Sequence, residues 1–245
     1  MGDGFHNVYD DLARAEAYAA LDFPGTYHLA FRDLPALLQE FAPRGGALDF
    51  GCGAGRSTRF LGGLGYRPLL GVDIAEQMIA QARARDPHGE YRVVRDGDLD
   101  GLPPHSFDLA LSAFTFDNIP TLERKTALLR ALARVVKPGG CVVNLVSSPE
   151  IYLHEWASFS TEAFPENRHA RCGDEVRIVM LDVPDRRPVV DVLWTDEAYR
   201  GCYCDAGLTV LRIHRPLARG DEPVAWVSET HLAPWVIYVL RPAAV

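Results

Sequence analysis

Leu48-Asp49-Phe50-Gly51-Cys52-Gly53-Ala54-Gly55-Arg56 reads as a strand end, a glycine-rich turn and a helix start. Glycines at such a joint let a ligand approach the backbone closely, at the carboxyl edge where open α/β sheets bind ligands. A plain structural turn would use the same glycines, so the neighbours must decide. An anionic pyrophosphate on the helix start wants no carboxylate nearby, yet Asp49 lies just before the loop. The third glycine of a dinucleotide fingerprint would fall at position 56, which is Arg56. The loop thus favours a ligand carrying positive charge, and a nicotinamide-dependent oxidoreductase is the weaker alternative.

Outward from this loop, short apolar runs alternate with helical stretches from residue 47 to about 147. The runs are Ala47–Phe50, Leu69–Val72, Tyr91–Val94, Phe107–Leu111 and Cys141–Val146, with helices expected at 56–64, 75–84 and 121–135. The last helix is expected to stop at Lys137-Pro138-Gly139-Gly140. Such alternation predicts an α/β fold, a doubly wound and mostly parallel sheet with helices on both faces. Two strands at Thr209–His214 and Trp235–Leu240 bring the expected sheet to seven. A helix starts after the N-cap Thr195. Before it, Glu175–Asp182 and Pro188–Trp194 are β-rich around Pro184-Asp185 and predict a hairpin.

Three acids follow three successive strands. Asp49 ends the first, and Asp73 ends the second, eighteen residues beyond Gly55, where an acid can accept bonds from both ribose hydroxyls of a nucleoside. Asp98 follows the third, positioned to accept from an adenine amino group, with the Leu99 backbone N–H directed at a ring nitrogen. Helix capping explains any one of these singly, but hardly all three. S-adenosylmethionine has the required adenosine, and its sulfonium and ammonium supply the positive charge.

Here the sequence resembles the class I S-adenosylmethionine-dependent methyltransferases, small-molecule type. The resemblance rests on Leu48–Gly55, Gly71-Val72-Asp73-Ile74, Gly97-Asp98-Leu99 to Leu102-Pro103, Phe107-Asp108 and Val136–Gly140. It implies a Rossmann-like methyltransferase fold with S-adenosyl-L-methionine as cofactor and S-adenosyl-L-homocysteine as product. It further implies that the glycine loop (Gly51, Cys52, Gly53, Gly55) packs on the methionine part, Asp73 with Ile74 on the ribose, and Asp98 with Leu99 on the adenine. Ser112–Pro120 lacks the Asn/Asp-Pro-Pro-aromatic motif usual in nucleic-acid amino methyltransferases of this family. Phe114 in that segment is expected to line the cofactor pocket.

The whole chain is expected to be one domain. Residues 1–44 form a helical cover, 45–148 the cofactor core, 149–194 an insertion covering substrate, and 195–245 the completion of the sheet. Helical spacing of Leu12, Ala15, Tyr18 and Leu21, and of Leu34, Leu37, Leu38 and Phe41, supports the cover. The expected reaction is N- or O-methylation of a small molecule. A cofactor-binding protein or cyclase on the same fold is the alternative. Acceptor contacts are expected from Tyr9, Tyr27, Tyr152 and Trp156. A base, where the acceptor needs one, is expected from His154, paired with Glu155, or from His28. Arg168, Arg171, Arg177, Arg186 and Arg187 form either a solvated face or a handle for an acidic substrate.

The chain has 245 residues, 48% hydrophobic and 24% charged, as in an ordinary soluble globular enzyme. Lys and Arg number 25 against 33 Asp and Glu, a formal net charge of −8, which argues against nucleic acid as partner. No apolar run is long enough to span a membrane, and Met1–His6 does not resemble a secretory signal. Five scattered cysteines suit a reducing compartment. The expectation is a cytoplasmic monomer or homodimer, without metal.

Overall fold

A computed structural model describes residues 24–243. The helical stretch expected around Leu12 to Leu21, and Tyr9, lie outside the described residues. Helix α1 (Thr26–Arg32) and helix α2 (Leu34–Phe41) lead into strand β1 (Ala47–Phe50). Then follow α3 (Arg56–Gly63), β2 (Leu69–Asp73), α4 (Glu76–Arg85), β3 (Glu90–Val93) and β4 (Phe107–Ala113). Helix α5 (Leu122–Val135) begins at Thr121, whose hydroxyl accepts from the Arg124 N–H at 3.2 Å, an N-cap.

Strand β5 (Val136–Ser147) differs from its expected start. It takes over directly where α5 ends, so Lys137-Pro138-Gly139-Gly140 lies inside the strand rather than in a stop. Pro138 has no N–H for a ladder, and the register with β4 shifts between Phe107 and Leu109 beside it. The expected hairpin is a three-stranded antiparallel sheet in the order β6 (Phe159–Ser160), β7 (Glu175–Met180), β8 (Val189–Val192). Helix α6 (Asp196–Asp205), β9 (Leu208–His214) and β10 (Trp235–Pro242) complete the chain.

The main sheet has seven strands in the order β3-β2-β1-β4-β5-β10-β9. Strands β3 through β5 pair in parallel, and β10 runs antiparallel to both β5 and β9. Alternation along the strands divides the core in two. Cys141, Val143 and Leu145 of β5 join Ile237 and Val239 of β10 against α1, α2 and the insertion. Val142 and Val146 join Val236, Tyr238 and Leu240 against α5 and α6. Order reverses between β1 and β4, whose carboxyl ends therefore flank a crevice.

One clasp ties distant parts of the chain to that crevice. Glu229, fully buried, accepts from the Thr26 hydroxyl (2.6 Å) and the Ala157 N–H (2.8 Å) through one oxygen, and from the Val227 N–H (2.9 Å) through the other. Thr26 and Ser158 exchange two further bonds, and the Trp235 indole N–H donates to the Thr26 carbonyl at 2.8 Å. The helix that carries Tyr27 is thereby fixed to both the insertion and β10.

Candidate active site

The glycine loop leaves β1 by curling across the end of β2, where the Val72 carbonyl accepts from the N–H groups of both Gly51 and Cys52. Two of its glycines serve different ends. Gly51 has φ +74°, and a Cβ there would lie 1.9 Å from the Thr115 hydroxyl, so it permits close packing against the end of β4. Gly53 has φ +52°, and a Cβ there would meet nothing within 4 Å, because it borders an open cleft. Asp73 lines the same cleft. Its Oδ2 accepts from the Gly53 N–H at 2.8 Å and its Oδ1 from the Ala75 N–H at 2.9 Å. A carboxylate offers about four acceptor positions, so acceptor capacity is left for a ligand hydroxyl. Burial raises its pKa, and the backbone donors oppose that shift.

The cleft encloses about 1190 Å³ including its open mouth. Of the residues expected to hold the cofactor, Gly51, Cys52, Gly53, Asp73, Ile74 and Phe114 stand on its wall. Gly55, at φ +78°, sits behind the wall, where a Cβ would meet the Tyr91 ring at 2.8–3.0 Å. Asp49 does not reach the wall. It lies fully buried beneath the start of α3, and its Oδ2 accepts from the hydroxyls of Ser57 (2.7 Å) and Thr58 (2.6 Å). Its Oδ1 has no hydrogen-bond partner. Burial pushes this carboxyl up to about 6.

The third acid also differs. Asp98 turns its Oδ1 back to the Asp100 N–H at 2.7 Å, a local turn bond, and Leu99 is buried in the core. Neither lines the cleft; Asp96 does, two residues earlier. Asp96 has φ +51° and faces the Arg124 guanidinium at 3.4 Å. The sequence Arg95-Asp96-Gly97-Asp98 offers two acids, and only the backbone turn distinguishes them.

Beyond Phe114 and Asn118, which border both spaces, lies a second, smaller chamber that encloses about 440 Å³ including its open mouth. Two of the residues expected to meet the acceptor, Tyr27 and Tyr152, line it together with Phe159, Trp235, Asp117 and Asp191. Phe114 adopts φ +64° and packs its ring 4.7 Å from Trp235 and 5.6 Å from Tyr27. Trp156 is buried behind this wall, and its indole N–H donates to the Ile151 carbonyl at 2.9 Å. It supports the chamber without lining it.

Neither histidine lines either space. His154 is two-fifths exposed and pairs with Glu150 at 3.1 Å, while Glu155 accepts from the Thr161 N–H and hydroxyl. The expected His154–Glu155 pairing is therefore absent, since each side chain has another partner. His28 follows Tyr27 on α1, and helical neighbours diverge. The insertion arginines point elsewhere too. Arg177 pairs with Glu166, Arg187 with Asp185, and Arg186 donates to the Met180 carbonyl.

Sequence reasoning missed the groups that make the chamber polar. Asp117 accepts from the Ser147 N–H (3.1 Å) and hydroxyl (2.9 Å), and Tyr152 donates to Asp191 at 3.0 Å. Burial raises Asp117, with the Asp191 charge adding to the shift and Lys125 opposing it. Lys125 is itself fully buried, donates to the Phe116 carbonyl and faces the Trp194 ring at 4.9 Å; burial lowers its pKa. The available signal was Asp117-Asn118, directly after β4 at the sheet's carboxyl edge. Arg56 was read only as a missing glycine, yet it lines the cleft with its guanidinium 5.1 Å from the Tyr27 ring centre.

Residues 48–144 match the family model described as a methyltransferase domain. A trans-aconitate 2-methyltransferase of Sinorhizobium fredii is 30% identical over 211 residues, covering 84% of this chain and 75% of that protein. The chain belongs to the S-adenosylmethionine-dependent methyltransferase family. A ubiquinone biosynthesis O-methyltransferase of Neisseria meningitidis serogroup A is 33% identical over 114 residues, 44% of this chain. That alignment spans about half of the relative, 47% of its length. An S-adenosylmethionine dependent methyltransferase structure from Mesorhizobium loti superposes with a TM-score of 0.58 at 24% identity, covering 85% of this chain and 97% of that one. The chain shares the Rossmann-like sheet of that structure and carries the three-stranded β6–β8 sheet beside it. Among the described residues no helix is long and apolar enough to cross a membrane.

Proposed function

We propose that this chain transfers a methyl group from S-adenosylmethionine to a small-molecule acceptor, by N- or O-methylation, releasing S-adenosylhomocysteine. The observation that carries this reading is the pair of adjoining spaces. A glycine-walled cleft at the sheet's switch point opens, past Phe114 and Asn118, onto an aromatic chamber.

The wall chemistry supports the cofactor. Gly53 leaves open space where any other residue would intrude. Asp73 retains acceptor capacity for a ribose, and Asp96 rather than Asp98 stands where an adenine amino group would donate. Arg56 offers a guanidinium to the carboxylate of the methionine tail. The partnerless Asp49 oxygen beneath the loop favours positive charge in the cleft above it. Bound there, the cofactor supplies an electrophilic methyl on a good leaving group. The chain's part is then to hold the acceptor in line and exclude water, and such alignment supplies most of the acceleration. No observation favours a nicotinamide cofactor or a purely structural role.

The same reading takes the protein as a cytoplasmic monomer or homodimer that does not act on nucleic acid, in keeping with its net charge of −8. Calorimetry with S-adenosylmethionine and with NAD, followed by measurement of S-adenosylhomocysteine release over an acceptor panel, tests the proposal. Binding of the first cofactor only, with turnover, is expected. Failure to bind it would overturn the assignment.

A further inference from the structure

The second chamber has a chemical bias that the methyltransferase reading leaves open. Four rings, Tyr27, Phe114, Phe159 and Trp235, pack around it with centroids 4.7–5.7 Å apart in the pairs that touch. Two carboxylates, Asp117 and Asp191, complete its wall from separate elements that pack together. Asp117 follows β4, and Asp191 arrives on β8 of the insertion. The described lining includes no lysine, arginine or histidine. The buried ammonium of Lys125 donates to the Phe116 carbonyl among the rings of Trp194 and Tyr199, outside the lining.

We propose that this chamber binds the methyl acceptor as a protonated amine, anchored by the Asp117 carboxylate among the four aromatic rings. The assignment rests on the methyltransferase reading and narrows it to N-methylation. Rings and carboxylates together recognise an ammonium, through ring quadrupoles and charge-assisted hydrogen bonds. An acidic acceptor of the kind named for the trans-aconitate relatives would bring a third carboxylate against two. An ammonium beside Asp117 favours its ionised form, which burial and the Asp191 charge disfavour, and so adds to what the buried Lys125 supplies.

The chemistry balances with groups already named. The ammonium passes one proton to Asp117, which frees the nitrogen lone pair. That lone pair forms the N–C bond to the methyl as the C–S bonding electrons return to sulfur. Sulfonium becomes thioether, and the nitrogen takes up the positive charge, so the product is still a cation. Asp117 is then a catalytic residue as well as an anchor. Asn118, at the boundary of the two spaces, is placed to position the reacting nitrogen.

The test uses three probes of one shape, phenethylamine, 2-phenylethanol and 3-phenylpropionate, titrated calorimetrically into the full chain saturated with S-adenosylhomocysteine. The amine should bind at least about tenfold more tightly than either isostere. Asp117→Asn should remove that preference while S-adenosylhomocysteine binding stays within about twofold of wild type. Should Asp117→Asn fail to fold, Met180→Lys, which puts an ammonium on the same wall, should invert the preference towards the carboxylate. Equal or tighter binding of the carboxylate by wild type, or an unchanged preference in the variants, overturns the amine assignment alone. Failure of wild type to bind S-adenosylhomocysteine overturns the proposed function beneath it.

Discussion

Single residues at the cleft separate into those that touch a ligand and those that hold the loop. Asp73→Asn keeps the shape but loses charge and acceptor capacity, so S-adenosylmethionine affinity should fall by about tenfold or more by calorimetry. Cys52→Ala should leave it within about twofold, because that position needs only a small side chain. Asp49 should show itself through stability instead. Burial raises its folded pKa to about 6, above the unfolded value, so the folded state binds the proton more tightly. Its contribution is therefore greatest below about pH 4 and is lost as pH rises through about 6, a change of about 3 kcal/mol. In urea unfolding, the wild-type advantage over Asp49→Asn should shrink by that amount across this window in the ligand-free protein. A pH-independent difference would show that the carboxyl is not held in this way. His154→Ala and His28→Ala should turn over at wild-type rates at every pH, since neither ring lines the cleft or the chamber.

At the scale of elements, the insertion depends on one asparagine. Asn167, buried in a short turn, donates to the carbonyls of Tyr152 (3.0 Å) and Arg177 (2.8 Å) and accepts from the Arg177 N–H (3.2 Å). Asn167→Ala would strand these backbone groups, at a cost of about 3 kcal/mol. Hydrogen exchange along β7 should accelerate more than along β4 or β5; equal changes in all three would refute local locking. The strands and helices of the core were legible because period and turn chemistry agree there. Gly51, Gly53 and Asp73 were legible because strand ends and positive-φ turns leave fixed marks. Asp117 and Asp191 were not, since they lie on separate elements and only the packing of β8 against the Thr115–Asn118 turn brings them to one wall. The choice between Asp96 and Asp98 was hidden for a related reason. A two-residue difference in a loop is set by φ angles, and no periodicity records them.

Across the whole molecule, the Thr26–Glu229 clasp links the acceptor chamber to global stability. Thr26→Val removes a hydroxyl that donates to Glu229 and accepts from the Ser158 N–H. It should cost about 2–3 kcal/mol, because the buried carboxylate loses one donor and the amide its acceptor. The same variant should raise KM for the acceptor with little effect on S-adenosylmethionine affinity, since Tyr27 borders the chamber while the glycine loop is separately braced. Equal losses in both would mean that the clasp does not act on the chamber selectively.

The position of β10 has a consequence for how the protein is made. Strand β10, made well after β5, sits between β5 and β9, so neither can be paired on that side until β10 has been synthesised. At roughly 5–20 residues per second, the outer edge of β5 waits several seconds, a bare template for a neighbouring nascent chain. Strands β1 to β5 can assemble during that interval, but the clasp cannot, because Glu229 emerges just ahead of β10. Translation that stalls between β5 and β10 would therefore release a half-sheet with an open edge and no acceptor chamber. A chaperone holding that edge would be needed most in the seconds between the synthesis of the two strands.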